Sequence, residues 1–236
     1  MKTVHIEVLY PEFNNLYGDR GNLLYLTRKL SACEVELRIT ETHLYDVPAF
    51  AKEEETVDLL YIGPCTERQQ ELSLLELLPY ADALEGRIDS NLITLSTGNA
   101  FELFGEYIER ADGTRAPGLG IFPYHAKRFD KLRFNDRCVG RVGDLKITGF
   151  KNQLSHAYGE NPFPFLEMQT GCGMNPESKQ EGVRKNNFFA TYLLGPLLPL
   201  NPSFSEKLVE LLAGDGYKPL GLPWEQQAYD VRIHEL

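Results

Sequence analysis

The chain has 236 residues, of which 24 are Lys or Arg and 34 are Asp or Glu, so its formal net charge is −10. This acidic balance argues against nucleic acid or an anionic membrane surface as the main binding partner. No stretch reaches the roughly 18 to 20 consecutive apolar residues that a membrane span needs, so we expect no membrane-spanning helix.

The N-terminal part alternates between strand and helix patterns. The predicted strands are 3–10, 34–39, 57–62 and 91–95, and the predicted helices are 22–31, 67–78 and 99–104. Strands that alternate with helices in this order are typical of a parallel sheet that is covered by helices on both faces.

The pattern changes beyond Gly105. Short strands at 137–142 and 145–149 indicate an antiparallel addition, and residues 159–184 are predicted to be a polar loop. An apolar strand is predicted at 187–194 and a helix at 203–213, and the tail from Gly214 is predicted to be a surface segment. We therefore expect one α/β domain over residues 1–236, with a mostly parallel central sheet and a small antiparallel addition.

Four cysteines are spread along the chain without a CxxC pair. A structural zinc site or a disulfide framework is therefore not expected, and the sequence predicts neither a metal ion nor another cofactor. Reduced thiols, together with an N-terminus that lacks an apolar segment of signal-peptide length, predict a cytoplasmic protein.

The segment 92–105 carries the clearest functional pattern. An apolar run reaches Leu95 and meets the small residues of 96–100, and a helical pattern follows. A buried strand that enters a helix through a tight turn is where many α/β enzymes hold their nucleophile. Glycine occupies this turn at Gly98, so the sequence predicts the architecture of a catalytic site without its reactive side chain.

Four stretches resemble a known family in the same order along the chain. They are LYPEFNNLYGDRGN at 9–22, FELFG at 101–105, GFKN at 149–152 and TYLLGPLLPLNP at 191–202. The first resembles the opening of the glutaminase subunit of lipid II isoglutaminyl synthase, and the others are similar to YQLLG, GFEN and TYLHGPLLPKNP of that family. The helix after the turn is also similar to the cobyric acid synthase glutaminase domains. The chain is thus identified as a member of the class I (triad) glutamine amidotransferases, which implies a flavodoxin-like fold.

Members of this family hydrolyse glutamine and pass ammonia to a partner enzyme, using a cysteine, a histidine and often an acid. Aligned on Gly105, the resemblance puts Gly98 at the cysteine position and Leu194 at the histidine position. Pro196 falls on the acid position, where the lipid II subfamily also has proline, and Gln153 replaces a histidine that often follows GFEN. The resemblance therefore implies a catalytically degenerate domain that binds or regulates a Mur-ligase-like, ATP-dependent synthase.

Two alternatives retain enzymatic activity. In the first, the nucleophile has moved to Cys65, with His156 or His125 as the base, or to the hydroxyl of Ser96, for which Leu194 leaves no base at the family's usual place. Cys65 lies in the loop that resembles the family's oxyanion-hole loop GGGQDR, although Pro64 has no N–H to donate there. In the second, the chain is an intact glutaminase built on Cys172, but no apolar strand precedes that residue.

A ligand pocket is predicted around the same turn, and a small amide or an amino acid is its expected ligand. Its predicted residues are Gly63, Thr97, Asn99, Glu102, Asn152 and Gln153. Simpler interpretations remain open for several of them, since Asn99 is also typical of a helix cap and Glu102 of a favourable charge at a helix start. Asp19, Arg20 and Asn22 in the first loop either contact a partner or fold the loop.

Overall fold

The computed structural model describes residues 1–235. In these residues, nine strands form a central sheet with neighbouring strands in the order β2, β1, β3, β4, β13, β12, β11, β8 and β9. The strands are β1 (Lys2–Leu9), β2 (Val35–Thr42), β3 (Leu59–Ile62), β4 (Ile93–Thr97), β8 (Phe134–Val142), β9 (Leu145–Gln153), β11 (Pro164–Thr170), β12 (Gln180–Lys185) and β13 (Phe188–Thr191). The first five strands in this spatial order, β2, β1, β3, β4 and β13, pair in parallel. The pairs from β13 onward to β9 are antiparallel.

A second, four-stranded sheet follows the turn that leaves β4. It contains β10 (Ser155–Gly159), β7 (Tyr124–Arg128), β5 (Tyr107–Glu109) and β6 (Arg115–Pro117). The predicted α/β class is confirmed, and the antiparallel part of the molecule is more extensive than the sequence pattern indicates.

Helices cover both faces of the central sheet, as predicted. They are α1 (Gly21–Leu30), α2 (Glu67–Leu77), α3 (Ala81–Asp89), α4 (Leu197–Leu200), α5 (Pro202–Ala213) and α6 (Pro223–His234). One apolar core lies between the sheet and α1 and α5, with Leu26 and Leu208 among its members. The other lies on the opposite face, where Leu74 of α2 and Leu84 of α3 pack with the aromatic residues that follow β4.

Three predicted elements differ from the structure. The predicted loop 159–184 contains β11 and β12. Phe165, Leu166 and Met168 of β11 are buried, and the strand pairs with β12 and β8 although prolines and glycines surround it. The predicted helix 99–104 is a 3-10 helix, Gly98–Phe104. The tail from Gly214 includes α6, which stays at the surface without a buried residue and is held by polar contacts.

The topology brings several loops to one edge of the sheet. Parallel strands β1, β3, β4 and β13 all end there, and binding sites of open α/β sheets form at the carboxyl ends of such strands. The turn at Gly98, the loop 63–66 after β3 and the segment 192–196 after β13 therefore meet at this edge.

Candidate functional site

The turn after β4 has the backbone geometry of a strained nucleophile elbow. Gly98 has φ +60°, a conformation that side-chain-bearing residues rarely adopt. A Cβ built at this position would lie 2.6 Å from Cβ of Pro64 and 2.9 Å from Cδ2 of Leu194. Pro64 and Leu194 therefore occupy the space into which a side chain at position 98 would project.

A cavity of about 110 Å³ opens beside Gly98, and we refer to it as the elbow cavity. Its lining residues are Leu16, Tyr17, Pro64, Cys65, Thr66, Glu67, Gly98, Asn99, Arg133, Asn152, Gln153, Leu154, Ser155, Tyr192 and Leu194. This volume is well below the roughly 300 to 1,000 Å³ of typical pockets for drug-sized ligands. The cavity therefore has room for a small molecule or for the end of a larger one.

The predicted site residues fall into two groups. Cys65, Gly98, Asn99, Asn152, Gln153 and Leu194 line the elbow cavity. Gly63, Ser96, Thr97, Glu102, His156 and Pro196 lie outside its lining. Pro196 packs instead against Gly21, where an added Cβ would lie 2.5 Å from its Cγ.

Asn99 fixes the loop that follows β3. Its Oδ1 accepts a hydrogen bond from the backbone N–H of Cys65 at 3.0 Å, and its Nδ2 donates to the carbonyl oxygen of Cys65 at 2.9 Å. The 3-10 helix begins at Gly98 with Thr97 as its N-cap, so Asn99 is the second residue of the helix and not its cap. Its amide therefore holds Cys65 and Pro64 against the elbow.

Glu102 lies behind the cavity wall and is fully buried. Its carboxylate accepts hydrogen bonds from Ser155 Oγ, from Tyr192 OH at 3.1 Å and from Gln70 Nε2 at 2.9 Å. Ser155 and Tyr192 line the cavity, and Gln70 also donates to the carbonyl oxygen of Asn99 at 2.5 Å. Burial raises the pKa of Glu102, while these donors oppose that shift. Glu102 thus positions Ser155 and Tyr192 directly, and Asn99 through Gln70, without lining the cavity itself.

Thr97 and Gly63 connect the elbow to the first loop of the chain. Thr97 Oγ1 donates to Oδ2 of the buried Asp19 at 2.5 Å, and Tyr61 OH donates to the same carboxylate. Gly63 lies so close to Asp19 that an added Cβ would be 2.9 Å from Oδ2. Burial raises the pKa of Asp19 to about 6.

The other residues of that first loop have different surroundings. Asn22 is buried and donates to Asp19 at 3.0 Å, and it also accepts the backbone N–H of Leu198 at 2.7 Å. Arg20 is exposed and pairs with Glu41 at 3.2 Å. Asp19 and Asn22 therefore fold the loop, whereas Arg20 lies at the surface.

Burial makes the alternative nucleophiles and bases poorly suited to proton transfer. Burial raises the pKa of the Cys65 thiol far above its usual range, with Glu102 adding to the shift. The Ser96 hydroxyl is buried and has no hydrogen-bond partner among the described residues. Burial and the charge of Lys151 lower the pKa of His156 to about 4, and its ring packs on Phe134 at 3.8 Å between centroids. His125 stacks on Tyr107 and does not line the cavity.

Arg133 and Tyr17 are among the cavity residues that the sequence-based predictions do not include. Arg133 donates to Asn152 Oδ1 at 2.6 Å and to Tyr17 OH at 3.3 Å across the mouth of the elbow cavity. Tyr17 falls within the first family-like stretch, which marks its loop as part of the family but does not indicate its contact with Arg133. Arg133 lies in no motif, so only the folded structure brings it to the site.

Neither a metal centre nor a membrane span is found in the described part of the chain. No group of three or more His, Cys, Asp or Glu residues within 1–235 is arranged to hold a metal ion. Over the same residues, every helix is too short or too polar to cross a bilayer.

Comparisons with known proteins agree with this architecture. Lipid II isoglutaminyl synthase (glutamine-hydrolyzing) subunit GatD of Staphylococcus aureus is 27% identical over 217 residues, which cover 92% of this chain and 85% of that protein. The subunit of the same name from Streptococcus pneumoniae is 28% identical over 219 residues, covering 87% of this chain and 79% of that protein.

Two solved structures share the fold. A glutamine amidotransferase matches with a TM-score of 0.56 at 13% identity, over 87% of this chain and 98% of that one. A second, from Thermotoga maritima, matches with a TM-score of 0.53 at 9% identity, over 98% and 84% of the two chains. A model of the CobB/CobQ-like glutamine amidotransferase domain matches residues 5–202. The chain therefore belongs to the CobB/CobQ-like glutamine amidotransferase family.

Proposed function

We propose that this chain is a non-catalytic member of its family. It keeps the amidotransferase scaffold, holds a small amide or amino-acid ligand at the elbow cavity, and binds or regulates a Mur-ligase-like, ATP-dependent synthase. An ATP-dependent partner would put the complex in the cytoplasm. The observation that carries the proposal is the geometry around Gly98.

Amide hydrolysis through a covalent intermediate needs a nucleophile on the elbow and a base within hydrogen-bond reach. Glycine supplies no attacking atom, and Leu194 beside it cannot accept a proton. Because Pro64 and Leu194 fill the space above Gly98, the substitution at the elbow is accompanied by neighbours that fit it. This agreement between three residues supports a site that no longer performs the family reaction.

The competing proposal is an active amide hydrolase or amidotransferase with Cys65 or Ser96 as the nucleophile. One observation favours Cys65, because it lines the elbow cavity. The raised pKa of its thiol weighs against this alternative, since the thiolate is the reactive form. Ser96 is buried outside the cavity lining, and His156 is both weakly basic and outside that lining.

The proposed partner follows from the relatives. Both are subunits of a lipid II isoglutaminyl synthase, and the alignments span most of this chain and most of each relative. A protein that keeps the scaffold of such a subunit can keep the surface that contacts the synthase while its own reaction is lost.

The test is an assay for glutamate and ammonia released from glutamine, with and without a Mur-ligase-like, ATP-dependent synthase as the candidate partner. We expect no release above the buffer control in either case, together with co-purification of the synthase. The same assay is run on Cys65→Ala, Ser96→Ala and Cys172→Ala, so that each candidate nucleophile is removed in turn.

The outcomes separate the alternatives. Turnover that is lost in Cys65→Ala or Ser96→Ala but kept in Cys172→Ala would establish a relocated nucleophile and overturn the proposal. Turnover that is lost only in Cys172→Ala would establish an intact glutaminase and overturn it as well. Turnover that survives all three variants would contradict both the non-catalytic proposal and the relocated nucleophile.

A further inference from the structure

A second cavity, of about 300 Å³, lies between the outer edge of the central sheet and α6. We name it the α6 cavity. Its lining residues are Arg137 of β8, Thr148, Gly149 and Phe150 of β9, Leu200 of α4, Arg232 of α6 and Glu235. Its volume is at the lower end of the range of about 300 to 1,000 Å³ for small-molecule sites.

Two guanidinium groups face this cavity from different elements. Arg137 and Phe150 are register partners on β8 and β9, so their side chains leave the same face of the sheet. Arg232 lies opposite them, in the last turn of α6. Among residues 1–235, neither guanidinium has a hydrogen-bond or ion-pair partner, and Glu235 forms no ion pair with either although it lines the same cavity. Arg38, by contrast, is paired with Glu55 at 2.7 Å.

Two like charges that share one cavity repel each other unless an anion lies between them. Guanidinium groups bind carboxylate and phosphate through paired N–H donors, so an oxyanion fits both of them. Phe150 and Leu200 add an apolar surface beside the two cations. We propose that the α6 cavity binds a small oxyanion, a carboxylate or a phosphate, that is attached to a planar apolar group.

The surroundings give the site an entrance and limit its ligand. An open depression of about 590 Å³ shares Arg137, Phe150 and Glu235 with the α6 cavity and leads to solvent. Asp136 lines that depression, and its carboxylate accepts the backbone N–H of Cys172 at 2.9 Å. Asp136 and Glu235 offset part of the positive charge of Arg137, Arg232 and Lys151, so a ligand with one anionic group is enough to balance the site.

The α6 cavity adjoins the elbow cavity, but anion binding there does not require the proposed function to be correct. Phe150 exchanges backbone hydrogen bonds of 3.0 and 2.9 Å with Leu194, and its ring meets that of Tyr17 edge-on at 6.3 Å. Leu194 and Tyr17 both line the elbow cavity. A ligand on Phe150 would therefore lie one residue away from the elbow cavity.

The experiment titrates the full chain with benzoate, phenyl phosphate and inorganic phosphate, followed by calorimetry and by NMR chemical shifts. We expect benzoate or phenyl phosphate to bind with a Kd on the order of 1 mM, and inorganic phosphate to bind more weakly because it lacks the apolar group. Arg137→Met and Arg232→Met should each weaken binding by about tenfold, since each removes a charged donor pair.

The matched control is Arg141→Met, another β8 arginine, which instead bonds the carbonyl oxygen of Gly143 at 2.6 Å and lies outside the cavity. This variant should bind the probes as the wild-type chain does. The proposal is overturned if no probe binds at about 10 mM, or if the Arg141 variant loses as much affinity as the other two. A failed glutaminase prediction would leave this result unaffected, because none of the probes is an amide.

Discussion

At the scale of single residues, Gly98 combines two requirements that can be separated by substitution. Its φ of +60° costs any residue with a side chain backbone energy, and its neighbours Pro64 and Leu194 leave no space for a Cβ. Gly113 has a similar φ, +84°, but an added Cβ there meets no atom within 4 Å. The pair Gly98 and Gly113 therefore distinguishes backbone strain from crowding.

We expect Gly98→Ala to lower the free energy of unfolding by about 2 to 5 kcal/mol, because about 1 to 2 kcal/mol of backbone strain adds to overpacking of about 1 to 3 kcal/mol. Gly113→Ala should lower the free energy of unfolding only by the backbone strain of about 1 to 2 kcal/mol. Chemical denaturation of both variants measures the difference. Equal losses would mean that Pro64 and Leu194 move aside without cost, and that the elbow is less tightly packed than the contacts indicate.

At the scale of elements, the sequence predicts the strands and helices whose apolar residues follow a strong local period. The first four strands and α1 and α2 were predicted to within a few residues, because their apolar patterns are strong and their ends carry turn residues. β11 and β12 were missed because their burial depends on pairing with β8 and β13, which are distant in sequence. Prolines and glycines around 162–173 hid the pattern further.

The candidate site follows the same division. Asn152 lies in a stretch that resembles the family, Asn99 and Gln153 lie next to such stretches, and all three line the elbow cavity. Glu102 lies in the stretch 101–105 and Thr97 shortly before it, but both residues lie outside the cavity lining, which no linear pattern could reveal. Glu102 is satisfied by Ser155 and Tyr192, which approach from other parts of the chain.

Helix α6 has few apolar contacts and is attached by specific polar groups. Lys29 of α1 is buried and pairs with Glu206 of α5 and, at 2.9 Å, with Glu225 of α6. Tyr229 OH donates to the carbonyl oxygen of Lys146 at 2.9 Å. Because no residue of α6 is fully buried, these contacts account for much of its attachment.

We expect Glu225→Ala to raise hydrogen exchange in 223–234 by about tenfold while the protection of α1 is unchanged, since Lys29 keeps Glu206 as its partner. Exchange is followed by mass spectrometry on peptides from the two helices. Gln226→Ala is the control, because Gln226 is exposed and bonds only Asp230 within its own helix, at 2.8 Å. Unchanged exchange in Glu225→Ala would show that other contacts hold α6.

At the scale of the whole molecule, Asp19 connects three parts of the fold around one buried carboxyl group. It accepts Tyr61 OH from β3, Thr97 Oγ1 from β4 and Nδ2 of Asn22 at the start of α1. Burial raises its pKa from an ordinary 3.8 to about 6, although these donors favour the charged form. The folded chain therefore holds a proton at Asp19 over a pH range in which the unfolded chain has released it.

This difference predicts how global stability depends on pH. Between about pH 4 and 6 the folded state binds more protons than the unfolded state, so Asp19 makes the free energy of unfolding fall as pH rises, by about 3 kcal/mol in total. Its stabilising contribution is complete below pH 4 and lost above pH 6. Asp19→Asn cannot titrate, so urea denaturation should give a shallower fall over this range than in the wild-type chain.

Asp112→Asn is the control, because Asp112 is exposed and its pKa is lowered by Thr114, which confines its effect to lower pH. A slope that is unchanged in Asp19→Asn would mean that the carboxylate stays ionised in the fold, and that its three donors outweigh the cost of burial.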